Sequence, residues 1–425
     1  MENLSSIEPW SLTKKITFRF LFIFFLLMTS LWSFVPVVGD WLYTYTYYPS
    51  FFVQNYILGL HQPYKWVHPP TGSGDTLDDW IMVMTYIVVA IICSLVWSLF
   101  DKKHTHHTRL HNWLQIGLIY YLAYVLFGYG IQKLFVLQMP YPSMAQFYTP
   151  LGDFTPMRFS WMFIGYSTPY QFFGGFLETL GALLILFRRT RLLGLMILFG
   201  VMGNVVLLNF SYGIPVKYYS AFLWFIGIYL TLPYVPRILN FFFHQQRMEA
   251  ETLPTPYTKK WQRYTRIGLK TAFVVYAIGM TTYQNYSWSN MVNDVPPLDF
   301  NGAFDVHSFK RNGVEVLSPV DTTRWNQIIV GEGYQPGEGR GTIKRGTSNL
   351  NAGTFTVDSL KNLTVTLRGD TAKLFKGTYA IENKDRFIWK GQLKQDSVEM
   401  VLQRNERKFT LANRKFKWVL EQNDF

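Results

Sequence analysis

The chain is 425 residues long, with 49% hydrophobic, 18% aromatic and only 16% charged residues, against about 25% charged in soluble domains. Its single cysteine, Cys93, lies in an apolar run, which excludes an intramolecular disulfide, a CxxC redox pair and a thiolate metal site. The formal net charge of +13 needs no nucleic acid, because most of the excess falls where a membrane topology would put it.

Apolar runs of bilayer length, about 20 residues each, recur through the first 285 residues. They predict spans at roughly 17–38, 79–100, 113–135, 170–187, 192–211, 218–236 and 267–285. The first is too long and too aromatic for a secretory signal, with no small-residue cleavage site before Asp40, and is read as a retained helix. The second is introduced by HPPTGSGDTLDDW, residues 68–80. In that leader Gly72 and Gly74 permit a sharp turn, Asp75 or Thr76 caps the first free amides, and Asp78 and Asp79 suit the positive end of the helix dipole. Capping is the plain reading; an outer lid carrying Asp75 over the bundle is the sharper one.

Seven spans with an inside N-terminus place 16 basic residues on the cytoplasmic side, among them Lys14, Lys15, Arg19, Lys102, Lys103, Arg109, the FRRTR run and the segment 237–270. Lys65, Lys133, Arg158 and Lys217 fall outside or near the outer face. Residues 1–285 hold 20 basic and 11 acidic residues, the remainder 20 and 16, so the basic excess is largely topological and meets lipid headgroups. The histidines of KKHTHHTRLH (His104, His106, His107 and His111) are read as a solvated basic loop, since no carboxylate cluster or cysteine completes a zinc ligand set.

Polar residues within the apolar runs are the candidate site. Lys133 ends the third run and Glu178 sits mid-run in FFGGFLETLGALLILF. Ionisable groups in a bilayer normally face the bundle interior with a partner, and Gly174, Gly175 and Gly181 let a neighbouring helix approach. The pair either fixes helix packing or forms a proton relay or the polar end of a ligand site. Asn204 and Asn209 lie about 140° apart on a helix and act as interhelical glue. Lys217, after the Pro215 break, meets an anionic headgroup or a quinone carbonyl, or merely snorkels.

From about residue 290 the pattern changes. AFDVHSF, WNQIIV, GTFTV, LTVTLRG, KLFKGTYAI, DRFIWKG and SVEMVLQR are short, alternating and punctuated by Gly, Asn, Asp and Lys, the signature of a small antiparallel β-barrel or sandwich. Trp325, with Arg414 and Trp418 of the closing NRKFKW, is placed to seal one end by cation–π stacking. A solid-core sandwich in which the tryptophans merely pack is the preferred reading.

The strings GSGD, WSLF, YGIQKLFVLQMPYPS, PMRFSWMFIGYS, FLETLGALLILFRRTRLLG and VLLNFSYGIPVKYYS closely resemble the DoxX-like integral membrane family, in the long form with a β-rich C-terminal extension associated with Bacteroidota-type bacteria. The likeness covers nearly the whole chain. Where the family pattern is NFCYDVPVK this chain reads NFSYGIPVK, so Ser211 and Gly213 stand where a thiol and an acid are expected. The resemblance implies a membrane redox setting, with quinone as the implied cofactor and a redox or envelope protein as the implied partner.

The expectation is therefore a polytopic α-helical bundle of about seven spans, residues 1–289, followed by an extracytoplasmic β-rich domain, residues 290–425. It is set in a bacterial inner membrane with the N-terminus cytoplasmic, without autonomous enzymatic activity and without nucleic acid as partner. Lys133, Glu178, Asn204, Asn209 and Lys217 are the ligand-binding or buried polar candidates, with Asp75 as the lid residue. Two function classes stay open: a quinone- or lipid-binding component of a membrane redox system, or a scaffold whose β-domain recruits a partner.

Overall fold

The computed structural model describes residues 9–29, 48–60, 74–101, 103–245, 259–346, 351–367 and 373–413. The chain divides into two compact units, Met1–Leu134 with Pro169–Thr282, and Phe135–Thr168 with Tyr283–Phe425. The segment Phe135–Thr168, which sequence reading assigned to the helical region, thus belongs to the unit that holds the β-strands.

The helical unit contains α1 (Leu12–Thr29), α2 (Leu77–Phe100), α3 (Thr108–Leu134), α6 (Thr168–Ile185), α7 (Arg191–Ser211), α8 (Lys217–Thr231), α9 (Val235–His244) and most of α10 (Lys260–Asn293). Among the described residues four helices are long and apolar enough to cross a membrane: α2, α3, α7 and the 28-residue run Lys217–His244, in which α8 continues through a short turn into α9. The expected count of about seven is not supported. The runs at 170–187 and 267–285 are helical, but α6 is broken by Glu178 and Gln171, and α10 carries Thr281, Thr282, Gln284 and Asn285 in its apolar stretch. The 17–38 run is helical as far as Thr29, within α1, which carries Lys14 and Lys15 before the run and Arg19 inside it, and its remainder lies outside the described residues.

The start of α2 follows its sequence. Thr76 is the N-cap, its hydroxyl accepting from the Asp79 amide at 3.3 Å while Asp79 accepts from the Thr76 amide at 2.9 Å, a reciprocal capping box. Close helix contacts rest on glycines. A Cβ on Gly130 would lie 2.9 Å from the Gly175 carbonyl oxygen, and one on Gly175 would lie 2.7 Å from Lys133 Cβ. Backbones of α3 and α6 therefore touch where the charged residues sit.

In the second unit, β1 (Gly302–Arg311), β3 (Trp325–Glu332), β4 (Glu338–Arg345), β5 (Asn351–Val357), β6 (Asn362–Leu367), β7 (Lys373–Asn383), β8 (Arg386–Leu393) and β9 (Asp396–Arg404) pair antiparallel in order, and β9 returns to β1. The result is a closed eight-strand barrel, with the two-residue β2 (Val314–Glu315) as a spur on β1. The Asn312-Gly313 turn that makes the spur has φ of 51° and 81°, as a tight hairpin with a type I′ turn requires. A register shift between Val306 and Ser308 moves the inward set of β1 from Phe304 and Val306 to Phe309.

Inward rings fill the barrel: Phe300, Phe304, Phe309, Trp325, Phe355, Phe375 and Trp389 are all buried. Trp389 lies 5.1 Å from Phe300 and 6.0 Å from Phe375 between ring centroids. The domain is thus a barrel rather than a sandwich, and its tryptophans pack as expected. The arginine that stacks on a core ring is Arg404, 4.9 Å over Phe304, with Nη1 donating to the Asn301 carbonyl at 3.0 Å. Arg414 and Trp418 lie outside the described residues. Two short helices, α4 (Met144–Tyr148) and α5 (Pro156–Tyr166), belong to this unit, and Tyr148 donates to Asn405 Oδ1 at 3.0 Å.

Candidate functional site: buried ion pairs of the helical unit

The last turn of α3 and the middle of α6 bring Lys133 and Glu178 into a direct ion pair. Glu178 is 2% exposed, and its Oε1 takes the lysine ammonium while its Oε2 is buried with no hydrogen-bond partner. A buried carboxylate is costly, and α3 and α6 meet beside it through Gly130 and Gly175. Of the three glycines flagged from sequence, Gly175 and Gly181 sit in helix contacts, whereas Gly174 faces open space.

A second ion pair ties the leader of α2 to the start of α8. Asp75, at φ 65°, aims its carboxylate at the first free amides of that helix, accepting from Lys217 N at 2.6 Å and Tyr218 N at 3.1 Å, with Lys217 Nζ at 3.0 Å. Asp75 is thus a helix cap supplied from another part of the chain, placed at a positive dipole end. Lys217 is neither a snorkelling lysine nor a free cation, because it is held by Asp75. Gly74 lets the leader lie against Tyr218, whose ring carbon would be 3.3 Å from an added Cβ. Among the described residues Asp75 makes no bond to Lys133 or Glu178; His61, His68 and Gly72 of the expected lid lie outside them.

Tyrosines line the interior near these pairs. The hydroxyls of Tyr121 on α3 and Tyr219 on α8 lie 3.1 Å apart, and Tyr129, one turn before Lys133, is within the electrostatic range of Glu178 and Tyr121. Asn209 is buried and donates to Ser220 Oγ at 2.9 Å, fastening α7 to α8. Asn204 is exposed and is not brought to the site. Gly213, in the departing NFSYGIPVK string, has φ 61°, a left-handed position that glycine occupies without steric cost.

A third charged cluster was not foreseen. Arg19 of α1, 1% exposed, donates to Ser98 Oγ at 2.9 Å and Asp101 Oδ2 at 3.0 Å, and lies 3.2 Å from His107 Nε2. The same His107 Nε2 lies 3.3 Å from Asp101 Oδ2, so the imidazole tautomer decides whether it accepts from Arg19 or donates to Asp101. Burial opposes the charge of Asp101, but hydrogen bonds from His104 and Arg19 outweigh it and hold its carboxyl down at about 2. Burial, followed by the Arg19 charge, pushes the His107 imidazole below its ordinary value. The solvated-loop reading therefore fails for His107, which is buried, and stands for His104, which is exposed although paired with Asp101. The available signal was a lone acid, Asp101, directly after WSLF, with Arg19 alone inside an aromatic helix.

The chain is 33% identical over 112 residues to the uncharacterized protein YwoB of Bacillus subtilis, a match covering 24% of this chain and 65% of that relative. The chain thus spans less than two thirds of the relative's length. No family model matches, and no solved structure matches.

Proposed function

We propose that the protein is a DoxX-like integral membrane component whose helical unit binds a hydrophobic molecule with a polar head, a quinone or a lipid, at Lys133 and Glu178. The orphaned Oε2 of Glu178 carries this reading. A buried polar atom without a partner costs roughly 1–3 kcal/mol, more when charged, so a bound head that donates a hydrogen bond to Oε2, such as a quinol or lipid hydroxyl, offsets a real penalty. Lys133 uses one donor on Glu178 and keeps the others for an acceptor such as a carbonyl oxygen. In this arrangement Asp75 pins the leader of α2 to α8 and acts as the lid residue. The excess of Lys and Arg in segments 14–19, 102–109, 188–191 and 237–270 supports an inner membrane with those segments cytoplasmic and the barrel outside, a layout in which the 17–38 run, α6 and α10 cross together with the four longer apolar helices. The protein serves a redox partner rather than catalysing by itself.

The test is gentle purification of the full chain from its native membrane, followed by identification of co-purifying small molecules. A stoichiometric quinone or lipid in the wild type, lost in Glu178→Gln, is the expected result. Bulk lipid alone, unchanged by the substitution, leaves the pair as a packing device and favours a scaffold whose barrel recruits a partner.

A further inference from the structure

The segment between α3 and α6, residues 135–168, holds nine aromatic residues and only two charged ones, Asp153 and Arg158. A connection of this length facing water normally carries more charge. Part of the aromatic set is spent inside the second unit. Phe409 stacks on Phe147 at 5.6 Å and stands edge-on to Tyr148 at 4.8 Å between ring centroids, and Tyr166 donates to the Leu411 carbonyl at 3.1 Å. Asn405, which accepts from Tyr148, is itself bonded to β1, its amide donating to Ala303 O at 2.8 Å and its Nδ2 to Asp305 Oδ2 at 2.7 Å. The segment is thereby fastened to the barrel sheet.

Its outward side is nevertheless apolar. Ser160 and Gly165 on α5 are buried, and a Cβ on Gly165 would lie 2.9 Å from the Met139 carbonyl oxygen, so this face packs on the chain just after α3. Phe159 and Phe163, one turn apart on the opposite face, are 38% and 66% exposed, and Leu151 in the preceding turn is 69% exposed. Arg158 stands beside them, its guanidinium 5.5 Å over Phe154, a group suited to a headgroup phosphate. The chain itself indicates what covers this face. α3, long and apolar enough to cross a membrane, ends at Leu134, and α6 starts at Thr168, two residues after α5 ends. A segment joined to such helices stands at the end of their crossing, where aromatic side chains collect at headgroup level. An apolar helix face there sinks about 5–10 Å into the headgroup and acyl boundary.

We propose that the Phe159 and Phe163 face of α5, together with Leu151, is a docking surface for the lipid bilayer, lying in the boundary between headgroups and acyl chains. The bonds of Tyr148 and Tyr166 carry the barrel unit with it. This inference rests on the reading that the apolar helices cross a membrane, and not on the ligand proposed at Lys133 and Glu178.

The experiment uses the full chain with Cys93→Ala and one added cysteine at a time, labelled with a fluorophore and reconstituted in phosphatidylcholine vesicles. Phe163→Cys and Phe159→Cys report the outer face of α5, Val88→Cys the middle of α2, and Lys376→Cys an exposed position on β7. Nitroxide lipids carry the quencher either near the headgroup or near the chain ends. The Phe163 label is expected to be quenched about twofold or more strongly by the shallow nitroxide than by the deep one, as a depth of about 5–10 Å requires. The Val88 label should show the reverse order, and the Lys376 label no quenching by either. Quenching at Phe163 as weak as at Lys376 overturns the docking surface. Deep quenching like that at Val88 also overturns it, in favour of a helix inside the hydrocarbon core. If Phe163→Cys fails to fold, Phe159→Cys decides by the same criteria. A Val88 label that escapes both quenchers overturns the membrane reading on which the surface rests, so the two failures are told apart by the α2 label.

Discussion

The two units bury different things. The barrel closes around rings, Trp325, Trp389 and six phenylalanines, with backbone ladders satisfied strand to strand. The helical unit buries Arg19, His107, Glu178, Gln171 and Asn209 in a bundle whose helices expose many large apolar side chains. Apolar burial is non-directional and scales with area, so any ring of suitable size serves the barrel. Buried charge is directional: each group needs a named partner, and removing one partner strands the other. Among the described residues, partners are incomplete at Glu178 Oε2 and Arg19 Nε in the helical unit and at Trp389 Nε1 in the barrel.

Substitutions sharpen that contrast. Trp389→Ala empties the centre of the barrel and is expected to cost about 3–5 kcal/mol, read as an earlier, barrel-specific loss of protease resistance in the full chain. The helical unit should remain intact by the same digestion. A uniform loss across both units would show that the two are not separate in stability. Lys133→Met leaves Glu178 charged and alone, costing on the order of 3 kcal/mol. The double variant Lys133→Met with Glu178→Leu should return most of that in thermal retention in detergent. A double variant as weak as the single would mean that the pair is valued for something other than its mutual contact.

Asp75→Ala removes the cap of α8 and the partner of Lys217, for about 1–2 kcal/mol. Asp75→Asn should recover part of this, since an amide oxygen still accepts from the Lys217 and Tyr218 amides; equal loss in both would place the effect in the ion pair. The smallest effect concerns pH. His107 is held neutral, below its ordinary 6.5, so the unfolded chain takes up a proton first as pH falls. Its contribution is complete above 6.5 and declines below it, while that of Asp101, held at about 2, is complete above its ordinary 3.8 and is lost as pH falls through 2. Melting of the full chain should lose stability between neutral pH and pH 5, and His107→Gln should flatten that window. An unchanged pH profile in the variant would remove His107 as its source.

Much of this was legible in the residues. The alternating strands after residue 290 show as an antiparallel β-domain because side-chain period is a local property, whereas the pairing of β9 with β1 that closes it into a barrel rather than the preferred sandwich is not local. Thr76 and Asp79 announce a capping box because both partners lie within one turn. Lys133 and Glu178 were paired in advance because an apolar medium leaves opposite charges few alternatives. Asp75 is visible as a cap but not as the cap of α8, and Arg19 reads as one of the cytoplasmic-side cations although it is buried against Asp101.

Sequence alone thus determined four of the seven expected membrane-length helices, the strand periodicity of the β-domain and the pairing of Lys133 with Glu178, each a matter of composition or spacing. Only the tertiary structure decided that Asp75 meets Lys217, that Arg19 meets His107 and Asp101, that Asn204 stays outside while Asn209 bonds Ser220, and that Phe135–Thr168 joins the barrel unit. Those pairings join residues up to 142 positions apart. Which distant groups meet depends on how helices cross, and crossing is set by close packing at positions such as Gly130 and Gly175.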